Sequence, residues 1–312
     1  MGHSIVSPKY WFLKLVASLI RGLVNVRRGT QHYLRNLPLP QNVVRDRLQV
    51  PSRDKGRFIG IDIYCPASAA SSNLPVIVNW HGSGYFIPSW GDDYEYIHQA
   101  VKTLGCVVID SDYRKGPENV YPSAHDDAED VVGWVLSQSQ RFDVKNVSLS
   151  GFSAGAALAL SAGNFYGPEK IRAISCLYPA INVAPTPPKK PTPYEPRSGF
   201  YLSPGIVKLL LECYVPILLT RAEPRFRIKG LNTSRFPNRI FVATGDVDLL
   251  HDTAKEYFEE LARVEKGKKI TFVSVHREEH AWDKKPLVPE SVQARDDAYR
   301  QMFDNIKASW SS

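Results

Sequence analysis

Cysteine is scarce in this sequence, and its distribution argues against two kinds of covalent framework. The four cysteines, Cys65, Cys106, Cys176 and Cys213, lie far apart and form no C-x-x-C pair. The spacing therefore favours neither a disulfide scaffold nor a cysteine zinc site. Scattered cysteines of this kind fit a reducing compartment, so the expected location is cytoplasmic.

Acidic residues are missing from the first 45 residues, which contain seven lysines and arginines. The rest of the 312-residue chain has equal numbers of basic and acidic residues, so the formal net charge of +7 belongs to the N-terminus. A main body with balanced charge argues against a nucleic-acid-binding surface. With 43% hydrophobic residues and 23% charged residues, the chain is expected to be globular rather than disordered.

Long uninterrupted hydrophobic runs are also absent from the N-terminal segment. Residues 10–28, YWFLKLVASLIRGLVNVRR, predict an amphipathic helix with one polar stripe, formed by Lys14, Ser18, Arg21, Asn25 and Arg28. Lys14 and Arg21 interrupt the apolar residues well before the roughly 20 needed to span a bilayer, and they also disfavour a cleaved signal. Two interpretations stay open: a helix packed on the protein's own body, or a helix on a membrane surface.

Strand and helix patterns alternate along most of the remaining chain. Strands are predicted at residues 58–64, 74–80, 105–113, 147–150, 171–178, 239–245 and 268–275, and helices at 127–135, 154–162, 253–264 and near the C-terminus. Two of the strands are continuous apolar runs, as expected for strands buried on both faces. The order predicts an α/β fold with a mostly parallel central sheet and helices on both faces.

This alternation stops between residues 183 and 232. The segment begins with a proline-rich stretch that can form neither a regular helix nor a central strand, and it continues into one helical run, GIVKLLLECYV. We predict a core formed by residues 46–182 and 233–312, with residues 183–232 as an insertion over the sheet. Residues 1–45 form a separate basic segment.

The sequence GFSAG places Ser153 between a predicted strand and a predicted helix. It matches G-x-S-x-G, the strained turn that exposes a nucleophilic serine. Since a serine hydroxyl needs a base held by an acid, both are expected after later strands. Asp246, Asp248 and Asp252 follow one strand, while His276 and His280 follow the next. His276 continues its strand and Asp252 fits the N-cap of a helix, so we select His280 and Asp248.

A third motif, His81-Gly82-Ser83-Gly84, follows the buried strand that ends at Trp80. Its small residues leave backbone N–H groups that can stabilise an oxyanion, so we predict donors at Ser83, Gly84 and Ala154. Nearby aromatic residues are candidates for the lining of a substrate pocket: Tyr85, Phe86, Trp90 and Trp282.

With these motifs, the sequence resembles the hormone-sensitive lipase family of α/β-hydrolases over nearly all of residues 50–308. HGSG is similar to the family's HGGG motif, SDYRKGPE (111–118) to its D-Y-R-x-x-P-E segment, and HAW, beginning at His280, to its H-G-F motif. The resemblance implies the α/β-hydrolase fold with a cap built from the N-terminal segment and the insertion. Ser83 and Phe152 depart from the residues that are usual at their positions.

The residues and the resemblance together predict a serine hydrolase of carboxylic esters with short to medium acyl chains or of metabolite esters. It would act on a small-molecule ester through a Ser153–His280–Asp248 triad, and no metal or organic cofactor is expected. Two other hypotheses stay open: acyl transfer, cyclisation or deacetylation of a specialised metabolite, and ligand binding without catalysis. The sequence also leaves open whether the chain forms a homo-oligomer.

Overall fold

The computed structural model describes residues 7–35, 39–69, 73–182, 194–216 and 222–310. Most of the proline-rich stretch, residues 183–193, lies outside the described residues, so the predicted insertion is seen only from residue 194 onward.

Strands and helices alternate along the described chain. The strands are β1 (Val43–Pro51), β2 (Phe58–Pro66), β3 (Leu74–Trp80), β4 (Val107–Ser111), β5 (Phe142–Phe152), β6 (Ala173–Leu177), β7 (Arg239–Gly245) and β8 (Lys269–Val275). The helices are α1 (Pro8–Arg35), α2 (Tyr94–Leu104), α3 (Ser123–Ser137), α4 (Ala154–Tyr166), α5 (Pro204–Tyr214), α6 (His251–Val264) and α7 (Pro289–Trp310).

The eight strands form one sheet in the order β1-β2-β4-β3-β5-β6-β7-β8. Strand β2 runs antiparallel to both β1 and β4, and all other neighbouring strands are parallel. The carboxyl ends of β5, β7 and β8 therefore lie along one edge of the sheet. The loops that follow these strands carry the predicted serine, acid and histidine.

Each face of the sheet is covered by its own hydrophobic core. One core contains Val131 of α3, Leu158 of α4 and Phe258 of α6. The other contains Ile97 of α2 and Met302 of α7. Helices thus pack on both faces, which confirms the predicted α/β fold with a mostly parallel sheet.

Helices α1 and α5 lie outside this three-layer body and pack together. The apolar side chains of Leu13 and Ala17 on α1 form a small cluster with Phe86 and with Cys213 of α5. At the ends of this contact, Lys9 binds Glu212 and Arg21 binds Glu118. Among the described residues, none of the helices has the length and apolarity that crossing a bilayer requires.

Two elements were missed by the sequence patterns, and one predicted boundary is wrong. The sequence patterns predict neither strand β1 nor helix α2. Most side chains of β1 are exposed. Because β1 begins at Val43, the boundary placed between residues 45 and 46 falls inside a strand. The edge position of β1 explains the error, since its residues lack the alternation of a half-buried strand.

Candidate active site

Ser153 lies in a tight turn between β5 and α4, with backbone angles φ 52° and ψ −116°. A side chain added to Gly151 would overlap the backbone of Gly155, and one added to Gly155 would overlap the carbonyl of Trp80. Glycine is therefore required on both sides for the turn to fit between the strand and the helix. Few residues other than glycine adopt a positive φ, so the strain at Ser153 marks it as a candidate functional residue.

His280 and Asp248 form a continuous hydrogen-bonded chain with this serine. The distance from His280 Nε2 to Ser153 Oγ is 3.0 Å, and that from His280 Nδ1 to Asp248 Oδ2 is 2.8 Å. The Asp248 side chain is fully buried, and its other oxygen accepts the backbone N–H of Leu250 at 2.9 Å. With both oxygens engaged, the carboxylate can orient the imidazole so that Nε2 faces the serine.

The other candidate acids and the other histidine are occupied elsewhere. Asp246 binds the exposed His276 at 2.9 Å and accepts the Tyr194 hydroxyl at 2.8 Å. Burial alone would raise the pKa of Asp246, but the hydrogen bonds from His276 and Tyr194 hold it below its usual value. The Asp246–His276 pair therefore links the loops after β7 and β8 at the surface.

The prediction that Asp252 caps α6 is wrong. The helix begins two residues earlier than predicted, at His251, and its N-cap is Leu250. Asp252 lies in the first helical turn, where its carboxylate is 3.0 Å from the Nδ1 atom of His251. A carboxylate in the first turn still interacts favourably with the helix dipole, which explains why the sequence resembled a cap.

The loop that carries His280 is held by the segment just after the proline-rich stretch, which sequence analysis did not detect. The Arg197 N–H donates to the Arg277 carbonyl at 2.8 Å, and the Phe200 N–H donates to the His280 carbonyl at 2.9 Å. Between these bonds, Gly199 has φ +102°, and a side chain there would overlap the backbone of residues 279 and 280. Residues 197–200 thus act as a short clamp on the histidine loop.

The HGSG loop is held by Tyr113, a residue of the D-Y-R segment. The Tyr113 hydroxyl donates to the His81 carbonyl at 2.7 Å and lies 2.6 Å from Ser83 Oγ. Ser83 Oγ in turn accepts the backbone N–H of Tyr85 at 2.9 Å. The serine that replaces a glycine in this motif therefore braces the loop through its side chain.

The residues predicted to supply oxyanion donors, Ser83, Gly84 and Ala154, line the same cavity as Ser153. A side chain added to Gly82 would come within 3.3 Å of the Ser153 Cβ atom, so the HGSG loop passes directly beside Ser153. Ser83 and Gly84 follow in this loop and line the same cavity as Ser153 and Ala154. Since Ala154 begins α4, its N–H is one of the donors that a helix start leaves without an intrahelical acceptor.

An apolar cavity of about 400 Å³ opens above these residues. Tyr85 and Phe86 line it, as predicted, and so do Ile20 of α1 and Leu210 of α5. A volume of this size fits a small organic molecule. Because α1 and α5 both contribute to the lining, they close the cavity on the side opposite the sheet.

Trp90 and Trp282, which were also predicted to line the pocket, lie elsewhere. The Trp90 ring packs under the Arg47 guanidinium at 4.4 Å, and its N–H donates to the carbonyl of Asp110 at 3.2 Å. Trp282 is completely buried and packs edge-on against Tyr178 at 5.3 Å. Closeness in sequence to the motifs does not bring these rings to the cavity, because Trp90 packs against Arg47 of β1 and Trp282 turns into the hydrophobic interior.

A buried charge cluster lies at one side of the cavity. Lys284 Nζ is 2.6 Å from Asp93 and 3.0 Å from Asp283, and it sits 3.2 Å above the ring of Phe152. Burial acts to lower the pKa of the Lys284 ammonium, but the two carboxylates keep it above its ordinary value. Phe152, the unusual residue of the GFSAG turn, thus packs against a cation that remains charged.

No group of three or more histidine, cysteine, aspartate or glutamate residues is placed to hold a metal ion in the part of the chain that the structure describes. What the structure brings together is a strained serine, a histidine between serine and carboxylate, and a loop of backbone donors at the carboxyl edge of a parallel sheet. This fold and this arrangement define the α/β-hydrolase class.

The comparison with known proteins is in accord with this class. A profile of the alpha/beta hydrolase fold family matches residues 77–284, which is more than half of the chain. The chain belongs to this family, and the resemblance to its hormone-sensitive lipase group is confirmed. The matched range contains the HGSG loop, the GFSAG turn, Asp248 and His280.

Individual relatives match over shorter stretches. Over 44% of the present chain, the sequence is 31% identical to an AB hydrolase superfamily protein of Schizosaccharomyces pombe. Over 32% of the present chain, it is 30% identical to carboxylesterase 20 of Arabidopsis thaliana. These stretches span 41% and 35% of the two relatives. Among solved structures, an esterase of Pyrobaculum calidifontis superposes with a TM-score of 0.78, at 22% identity, over 95% of this chain and 94% of its own.

Proposed function

We propose that this protein is a serine hydrolase that cleaves carboxylic esters. The observation that carries the proposal is the hydrogen-bonded chain from Ser153 through His280 to Asp248, with distances of 3.0 and 2.8 Å. The fold of the esterase from Pyrobaculum calidifontis and the partial match to a plant carboxylesterase support the same activity.

In the first half of the proposed reaction, Ser153 Oγ attacks the acyl carbon and transfers its proton to His280 Nε2. The negative charge that develops on the carbonyl oxygen is stabilised by the N–H groups of Ser83, Gly84 and Ala154. The tetrahedral intermediate then breaks its bond to the alcohol oxygen, which takes the proton from His280. The products of this half are a free alcohol and an acyl group on Ser153.

Water completes the cycle by the same route. His280 removes a proton from the water as the oxygen attacks the acyl carbon, and it returns this proton to Ser153 Oγ when the acyl bond breaks. Throughout, Asp248 fixes the orientation of the imidazole and stabilises its protonated form. The side chain of Asp248 is fully buried, so water does not compete for its hydrogen bond to His280.

The cavity supports a small apolar ester as the substrate class. Its volume of about 400 Å³ and its lining by aromatic and aliphatic side chains suit short to medium acyl chains. We also propose a cytoplasmic location, in agreement with four cysteines that are all unpaired thiols.

The proposal is tested by the hydrolysis of p-nitrophenyl butyrate. We expect Ser153→Ala to lower kcat by about 10⁴-fold or more, because both the nucleophile and its proton transfer to His280 are lost. Ser161→Ala is the matched control, since Ser161 lies on the same helix, α4, and outside the cavity lining. It is expected to keep kcat within about twofold of the wild type.

Two results would contradict this function. If wild-type protein and Ser153→Ala hydrolysed the ester at equal rates, Ser153 would not be the nucleophile. If the wild type were inactive on a series of esters of increasing chain length while binding them, the fold would serve ligand binding without catalysis.

A further inference from the structure

Helix α1 has a second face whose apolar side chains are mostly exposed. Its inner face is buried, with Leu13 4% and Ala17 0% exposed. Six large apolar side chains point the other way and are 54–73% exposed: Trp11, Phe12, Leu15, Leu19, Leu23 and Val26. We call these six residues the outer apolar face.

The outer apolar face is continuous along the helix. Four of its members, Trp11, Leu15, Leu19 and Leu23, follow one another at intervals of four residues, which places them in one row on an α-helix. Isolated exposed apolar residues are ordinary, but a continuous row of large ones marks a surface that binds something.

This face is fixed in its outward orientation by polar contacts on the opposite side. Arg21 Nε donates to the carbonyl of Phe86 at 3.0 Å, and Arg21 Nη1 binds Glu118 at 2.9 Å. Lys9 forms an ion pair with Glu212 of α5. Since α1 is held at both of these positions, rolling the helix to bury its outer face would break the contacts that close the cavity.

The charge beside the outer apolar face is positive. Lys14 lies at its edge, with Nζ 5.3 Å from the ring of Trp11. The sequence adds Arg27 and Arg28 immediately after Val26, and no acidic residue occurs in the first 45 positions. An amphipathic helix with tryptophan, phenylalanine and leucine on one side, in a segment whose sequence is basic, suits an anionic lipid surface.

We propose that the outer apolar face of α1 binds the headgroup region of an anionic membrane. The apolar side chains enter the boundary between headgroups and acyl chains, and the basic residues attract the anionic lipids. Membrane binding goes beyond ester hydrolysis and does not depend on it, because none of the six residues lines the cavity. The helix does link the two regions, since Ile20 on its inner side is part of the lining.

The test is co-flotation of the full-length protein with vesicles of phosphatidylcholine and phosphatidylserine. The variant Leu15→Ser/Leu19→Ser/Leu23→Ser should bind at least about tenfold more weakly than the wild type, because three of the inserted side chains are gone. The matched control, Val264→Ser/Leu287→Ser, changes residues of similar exposure on α6 and before α7, and should bind within about twofold of the wild type.

Two further measurements accompany the flotation. Vesicles of phosphatidylcholine alone, or salt at about 1 M, should reduce wild-type binding, because the electrostatic attraction is removed or screened. Hydrolysis of p-nitrophenyl butyrate reports folding, and the triple variant should keep its rate within about twofold, since these side chains lie outside the cavity. Ser153→Ala should bind vesicles like the wild type, so a failure of the hydrolase proposal is distinguished from a failure of this one.

The proposal is overturned if the full-length protein does not float with anionic vesicles, or if the triple variant floats as well as the wild type. Equal binding to neutral vesicles would overturn the anionic requirement. Light scattering after size exclusion tests whether a second copy of the chain binds this face instead. A wild-type protein that is dimeric and does not bind vesicles, with a triple variant that is monomeric, would show that the face forms a dimer interface.

Discussion

At the scale of single residues, the site depends on which of several similar side chains contact each other. Three candidate aspartates and two candidate histidines follow neighbouring strands, and of these Asp248 and His280 are in line with Ser153. Asp246 and His276 form a second acid–histidine pair of nearly the same length, 2.9 Å, on the surface. The chain therefore contains its own control for the role of the buried pair.

We predict that Asp248→Asn lowers kcat for p-nitrophenyl butyrate by about 10⁴-fold. The amide cannot accept the imidazole N–H with the strength of a carboxylate, and it favours the wrong tautomer. Asp246→Asn makes the same chemical change in the surface pair and should leave kcat within about threefold. Equal losses in the two variants, or near-normal activity of Asp248→Asn, would remove Asp248 from the triad.

Much of this residue-level arrangement could be predicted from the sequence. Ser153, Asp248 and His280 each follow a strand whose pattern is clear, and parallel strands present their carboxyl ends at one edge. The role of Tyr113 in holding the HGSG loop could not be predicted, because it depends on a hydrogen bond to a carbonyl 32 residues away. The predicted positions of Trp90 and Trp282 are wrong for a similar reason, since each ring packs against a residue distant in sequence, Arg47 and Tyr178 respectively.

At the scale of elements, the histidine loop is shaped by residues 197–200 as much as by β8. The backbone hydrogen bonds between these residues and the loop leave no room for a side chain at Gly199. This contact joins residues about 80 positions apart, so no local pattern could reveal it. The amphipathic helix α2, by contrast, ends at Gly105, which has φ 61°, so the sequence does contain a local signal for the end of this helix.

We predict that Gly199→Ala lowers kcat at least about tenfold, because its methyl group would push the backbone of Glu279 and His280 away from Ser153. Gly56→Ala is the control, since Gly56 also has a positive φ of 79° but has open space around it. Both variants carry torsional strain, and only the first carries the overlap. Similar activities for the two variants would show that the clamp does not position His280.

At the scale of the whole molecule, stability depends on a histidine that lies outside the proposed triad. His125 is 1% exposed and lies among aromatic rings, with Nδ1 3.0 Å from the Tyr214 hydroxyl. Burial, assisted by the charge of Arg225, lowers its pKa to about 3. The folded protein therefore keeps His125 neutral at pH values where the unfolded chain takes up a proton.

We predict that this group makes the folded state less stable as the pH falls. The stability associated with neutral His125 is fully present above pH 6.5, the ordinary pKa of histidine. It is lost progressively as the pH falls toward 3. Between pH 7 and pH 4.5 the loss should be roughly 2–3 kcal/mol of unfolding free energy. Urea denaturation of the wild type and of His125→Phe at both pH values checks this, since the variant should lack that part of the pH dependence. An equal pH dependence in both proteins would refute it.

The measurement that tests the central claim most directly is the site of covalent modification by diethyl p-nitrophenyl phosphate, located by peptide mass spectrometry. Organophosphates react with a serine only when a neighbouring base activates it. We predict one diethylphosphoryl group on Ser153 in the wild type, and none there in His280→Ala. Modification of a different serine, or an unmodified Ser153 in the wild-type protein, would contradict the assignment of Ser153, His280 and Asp248 as a catalytic triad.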